Sequence, residues 1–114
     1  MQPQIPNDLR HIDSELNKLH DNVTSDRAQA QKLRDRAMQH IQQGSEGKAT
    51  YNTREAEKLE NKAMELESTI PQFEAAYAMI EKQINDLQSQ RDTVVQQNPA
   101  RASEIDQQIN QLRG

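Results

Sequence analysis

An unbroken row of apolar residues in the second half of the chain is the feature that most constrains the fold. Steps of three and four residues alternate in this row without a slip from Ala56 to Leu87. Such spacing places the side chains on one face of an α-helix, since a helix turns once in about 3.6 residues. The pattern predicts a helix over residues 53–97, and Asn52 with Glu55 has the spacing of a capping box. The row consists of Ala56, Leu59, Ala63, Leu66, Ile70, Phe73, Tyr77, Ile80, Ile84 and Leu87.

A second row of the same kind comes earlier in the chain and predicts a helix over residues 7–43. Asn7 is a good N-cap, Asp8 suits the positive end of the helix dipole, and Gly44 suits the position after the last turn. Asp26 stands at a position of this row where an apolar residue is expected, so it either lies at the rim or specifies register and partner. The apolar members are Leu9, Ile12, Leu16, Leu19, Val23, Ala30, Leu33 and Ala37.

The segment between the two rows predicts the turn of a hairpin. Residues 44–52 hold two of the three glycines of the chain and show no apolar period. If the chain folds back here, residues whose numbers add to 92 or 93 face each other. This register places Ala37 opposite Ala56 and Ala30 opposite Ala63, and it pairs large side chains with large ones elsewhere. We therefore expect an antiparallel pair of helices that approach closely near the turn.

The four prolines mark the other boundaries. Pro3 and Pro6 predict an extended arm over residues 1–6. Pro71 lies inside the second row, which keeps its phase across the proline, so we expect a kink, with a restart capped by Thr69 as the alternative. Pro99 coincides with a change of the apolar face and should end the long helix. A new stripe of Ala102, Ile105, Ile109 and Leu112 then predicts a third helix over residues 100–113.

Composition agrees with an all-α fold and excludes several classes of function. More than half of the 114 residues are Ala, Glu, Lys, Leu, Arg or Gln, which is typical of long helices. The net charge of −4 has the wrong sign for attraction to phosphate, so nucleic acid is not an expected partner. The chain has no cysteine. Without a signal-peptide pattern or a long apolar run, we expect a soluble chain with no membrane contact; the cellular location stays unknown.

No motif in the sequence carries chemistry. The histidines His11, His20 and His40 form no pair at helical ligand spacing, and Asp8 and Glu15 near His11 are expected to be solvated. The basic stretch from Arg27 to Arg36 is interrupted by Asp35 and lacks aromatic residues for base stacking. We therefore predict that the chain is not an enzyme and holds no catalytic residues, cofactor or metal.

The sequence predicts one domain, residues 1–114: an antiparallel, coiled-coil-like helical hairpin with a short C-terminal third helix. Its expected function is protein–protein interaction or assembly, as a homo-oligomer or as a structural component of a larger complex such as a virion or secretion apparatus. The alternative is a small inhibitor or chaperone that covers a partner protein. The expected contact surface is an exposed apolar stripe of Val94, Val95, Ile105, Ile109 and Leu112.

Overall fold

The computed structural model describes residues 3–114 and confirms the all-α fold. It contains α1 (Leu9–Gln42), α2 (Glu46–Val94) and α3 (Pro99–Arg113). Helix accounts for 88% of the structure, and the described residues include no strand. Helices α1 and α2 pack against each other as the predicted hairpin, followed by the short third helix. Residues 3–6 of the predicted arm have no regular secondary structure, and Met1 and Gln2 lie outside the described residues.

Helix α1 begins one residue later than its predicted cap implies. Asp8, and not Asn7, caps the helix: its Oδ1 accepts the backbone N–H of His11 at 2.8 Å, and its carbonyl accepts that of Ile12 at 3.1 Å. The Nδ1 atom of His11 lies 2.8 Å from the same carboxylate. The backbone hydrogen bond first, and the side-chain bond second, lower the pKa of Asp8.

The turn of the hairpin is much shorter than predicted. Gly44 adopts φ +81°. Its N–H donates to the carbonyl of Ile41 at 3.1 Å, and the N–H of Ser45 donates to the carbonyl of His40 at 2.7 Å. This pair of bonds is a Schellman motif, which closes α1 in a single left-handed residue. The carbonyl of Ser45 then accepts the N–H of Ala49, so α2 starts at Glu46. The predicted turn over residues 44–52 and the capping box at Asn52 are therefore wrong.

Helix α2 continues through Pro71 without a restart and ends at Val94. The alternative of a helix restarted at Thr69 is thus wrong, while the kink stays a prediction. The hydroxyl of Thr69 donates to the carbonyl of Leu66 at 2.7 Å, in the turn where the proline leaves a carbonyl without its usual donor. After a short turn, Asn98 caps α3 by accepting the N–H of Arg101 at 3.1 Å, and Pro99 occupies the first turn.

Contacts between residues divide the chain into two compact units. Unit 1 comprises the chain up to Leu16 together with Pro71–Gly114, and unit 2 comprises Asn17–Ile70. The prediction of one domain stays a prediction.

Unit 1 contains segments of all three helices around a core of large apolar side chains. Arg91 of α2 bonds Asp106 of α3 through its Nε atom at 2.7 Å, which raises the pKa of Arg91. Gly114, at the end of α3, lies so close to α1 that an added Cβ would stand 2.5 Å from Oδ1 of Asp8. The third helix therefore contacts both other helical segments of this unit. The buried apolar residues are Ile12, Phe73, Ile80, Ile84, Ala102, Ile105 and Ile109.

Unit 2 is a pair of helical segments whose core is built mainly from alanine. Ala30, Ala37, Ala56 and Ala63, which the predicted register places opposite one another, are all buried. Ion pairs between α1 and α2 flank this core. The Nη2 atom of Arg34 lies 2.5 Å from Oε1 of Glu60, and this hydrogen-bonded pair lowers the pKa of the glutamate. A second pair joins Arg27 with Glu67.

Asp26 is the exception within the alanine core. The residue is only 7% exposed, so the interpretation that it lies at the rim is wrong. Its Oδ2 atom accepts no hydrogen bond, and Nζ of Lys62 stands 3.8 Å away. A carboxylate in this position tolerates burial only with such a cation nearby, since an unpaired buried charge is costly.

Candidate protein-binding surfaces

The apolar stripe expected to bind a partner lies within unit 1. Ile105 is 1% exposed and Ile109 is 4% exposed, while Val94, Val95 and Leu112 are half-buried. Ile105 and Ile109 of α3 thus face the other helical segments of their own unit, whereas Val94, Val95 and Leu112 keep part of their surface exposed. Partner contact through these five residues stays a prediction, and a partner would reach Ile105 and Ile109 only after α3 moved.

A different surface of unit 1 has the form of a binding groove. It measures about 350 Å³ and lies between the first turns of α1 and the middle of α2. Half-buried Leu16 and Tyr77 form its apolar floor together with Ala78. Asp13, Glu74 and Glu81 line it with exposed carboxylates. We call these six residues the acidic groove.

The hairpin register positions the side chains of the acidic groove. Leu16 and Tyr77 belong to the two apolar rows and are paired in the predicted alignment. Asp13 directly follows the buried Ile12, and Glu81 directly follows the buried Ile80. Both carboxylates therefore lie beside the buried apolar rows of the two helices. This site was not predicted from the sequence, because carboxylates were compared within each helix and not between α1 and α2. The predicted register would have indicated it, since it pairs Ile12 with Ile80 and so places Asp13 and Glu81 at the same height along the two helices.

The carboxylates of the acidic groove have no cation of their own. Across residues 3–114, the side chains of Asp13, Glu74 and Glu81 take part in no hydrogen bond or ion pair. The charge of the chain is also uneven: unit 1 has nine acidic and five basic residues, whereas unit 2 has nine of each. The whole net charge of −4 therefore belongs to the unit that contains the acidic groove. Apolar side chains next to unpaired carboxylates favour a partner that offers both cations and aliphatic carbon.

Unit 2 exposes apolar side chains close to the turn. Met38, Ile41 and Tyr51 are each more than 60% exposed. Ile41 also lines a shallow depression of about 340 Å³ with Ala49 and Thr50. Within the described residues, no ion pair lies among these side chains. Since single exposed apolar residues are common on proteins, this surface is not a candidate binding site.

The described residues contain no arrangement suited to a metal ion. In that part of the chain, no three His, Asp or Glu side chains come together as ligands. The closest approach is the pair of His11 and Asp8, which serves to cap α1. None of the three helices has the length and apolar composition that crossing a membrane requires, as far as residues 3–114 are concerned. Comparison with protein families, curated proteins and solved structures found no match to this chain.

Proposed function

We propose that this chain is a non-enzymatic protein-binding module that acts in assembly, as a homo-oligomer or as a structural component of a larger complex such as a virion or secretion apparatus. The observation that supports this proposal is the acidic groove, where Leu16 and Tyr77 lie beside three carboxylates with no cation partner. A surface of this kind gains binding energy from apolar contact and specificity from charge.

Mass measurement in solution tests this proposal directly. Sedimentation velocity or light scattering on the purified chain should give a stable oligomer of defined stoichiometry. A monomer that forms a 1:1 complex with a purified host protein would instead support the alternative, a small inhibitor or chaperone. A monomer that binds no protein contradicts both.

A further inference from the structure

The acidic groove calls for a partner with specific chemistry. Three carboxylates surround a floor of aliphatic and aromatic carbon, so the complementary side chain carries a cation at the end of a long apolar stem. Lysine and arginine have this construction, because their methylene groups pack on apolar surface while the charged end reaches a carboxylate. An arginine would also stack on the ring of Tyr77. The groove of about 350 Å³ has room for one or two such side chains.

The chain itself offers cations that lack a carboxylate. Lys32 and Arg36 are exposed and take part in no ion pair within the described part of the chain. They are four residues apart in α1, so they project from the same side of the helix about one turn from each other. The neighbouring Arg27 and Arg34 are already paired with Glu67 and Glu60. Lys32 and Arg36 thus form a basic face in unit 2, and Asp35 beside them accepts a hydrogen bond from Nε2 of Gln31 at 3.0 Å.

We propose that the acidic groove of one chain binds the Lys32–Arg36 face of a second copy of this chain. Opposite charge supports this choice of partner: the groove has three unpaired carboxylates, and the basic face has two unpaired cations. The contact joins two different surfaces, so the copy that contributes its groove keeps its basic face free, and the copy that contributes its basic face keeps its groove free. Repetition of such a contact produces a closed ring or an open filament. This inference rests on the proposed role in assembly and names the surfaces that would perform it.

Charge reversal on each surface tests the pairing. Glu74→Lys with Glu81→Lys inverts the groove, and Lys32→Glu with Arg36→Glu inverts the basic face. All four side chains are exposed, so the variants should keep their helix content by circular dichroism. Each double variant should weaken self-association by about tenfold or more in sedimentation velocity at low salt. An equimolar mixture of the two variants should restore association, since every contact between the two then joins opposite charges.

A matched control uses Asp21→Lys with Glu65→Lys. This pair makes the same change of charge at exposed carboxylates of unit 2, and it should leave association within about twofold of the unaltered chain. Raised salt should weaken association of the unaltered chain, because the contact depends on exposed charges.

The possible failures are distinct. An oligomer that neither double variant weakens overturns the groove pairing and leaves the proposed assembly function in place. A chain that is monomeric at every salt and protein concentration overturns the pairing and also removes self-assembly from the proposed function. Restoration that fails in the mixture overturns the pairing as well, since it shows that the two surfaces do not meet.

Discussion

At the scale of single residues, Asp26 shows how a polar side chain is accommodated in a tightly packed helical pair. The alanine core leaves little room, and the carboxylate is buried with one cation 3.8 Å from it. Lys62 is itself 63% exposed, so water screens the attraction and the gain from the pair is small. We therefore expect the burial of Asp26 to cost unit 2 stability, since Oδ2 accepts no hydrogen bond to offset the loss of water.

Substitution of Asp26 by alanine should stabilise the chain by about 1 kcal/mol, because it removes a buried carboxylate that accepts too few hydrogen bonds. Substitution of Lys62 by methionine should destabilise it by about 1 kcal/mol, since the carboxylate then has no cation nearby. Urea denaturation measures both effects. Arg54→Met removes an exposed cation of unit 2, unpaired within residues 3–114 and outside the proposed binding face, and serves as the control. A loss of stability in Asp26→Ala would show that the carboxylate contributes more than its burial costs.

Asp8 provides a pH-dependent contribution at the start of α1. Its pKa is lowered in the folded chain, so the stabilisation is complete above the unfolded value of 3.8 and is lost as the pH falls through the folded pKa. Asp8→Ala should therefore lower the melting temperature at neutral pH, and the difference from the unaltered chain should shrink below about pH 4. Asp8→Asn keeps a capping oxygen and is the matched control. A difference that stayed constant down to about pH 2 would contradict this assignment.

At the scale of helices, α2 shows that a proline need not end a long helix. Pro71 is exposed, and the helix continues on both sides of it. The apolar row continues across the proline, and Ile70 and Phe73 are buried on either side of it. The hydroxyl of Thr69 donates to the carbonyl of Leu66 and not to that of Glu67, which an N–H at position 71 would serve.

Pro71→Ala should stabilise the chain by up to about 3 kcal/mol, since alanine restores a backbone hydrogen bond and removes the clash of the proline ring. Thermal or urea denaturation measures the change. Ala75, exposed one turn later, offers the reciprocal control: Ala75→Pro should cost a similar amount. An unchanged stability in Pro71→Ala would contradict the assigned cost of the proline in this helix.

The helices and their register were predictable because both depend on periodicity. The steps of three and four residues fix the faces of α1 and α2, and matching small with small side chains fixes Ala30 against Ala63. The helix ends were less predictable, since Asn7 and Asp8 compete as caps with similar intrinsic preference. The docking of α3 was not predictable, because the stripe of Ile105 and Ile109 would fit its own chain as well as another one. The acidic groove depends on pairing across helices and follows only once the register is known.

At the scale of the whole molecule, the two units differ in the kind of core that stabilises them. Unit 1 buries isoleucine and phenylalanine from three helical segments, whereas unit 2 buries mostly alanine from two. Each buried methylene contributes about 0.8 kcal/mol, so an alanine position contributes far less than an isoleucine position. Close approach of the helices and ion pairs at their flanks only partly offset this difference.

Amide hydrogen exchange should therefore be slower in unit 1 than in unit 2. Protection should be greatest in α2 between about residues 73 and 87 and lower between 49 and 63, because opening of the alanine core exposes less apolar surface. Exchange followed by mass spectrometry on peptides from the two segments measures this contrast. Equal protection in both segments would show that the whole chain opens in a single step.

Tyr77 gives the acidic groove a built-in optical signal. The chain has no tryptophan, so its near-ultraviolet emission comes from Tyr51 and Tyr77 alone. Tyr51 is 64% exposed, and Tyr51→Phe would leave a single tyrosine fluorophore in the floor of the groove. Quenching by acrylamide, which is uncharged and not repelled by the carboxylates, then reports whether that floor is open to solvent. Occupancy of the groove thus becomes readable by titration, without attaching a dye to the protein.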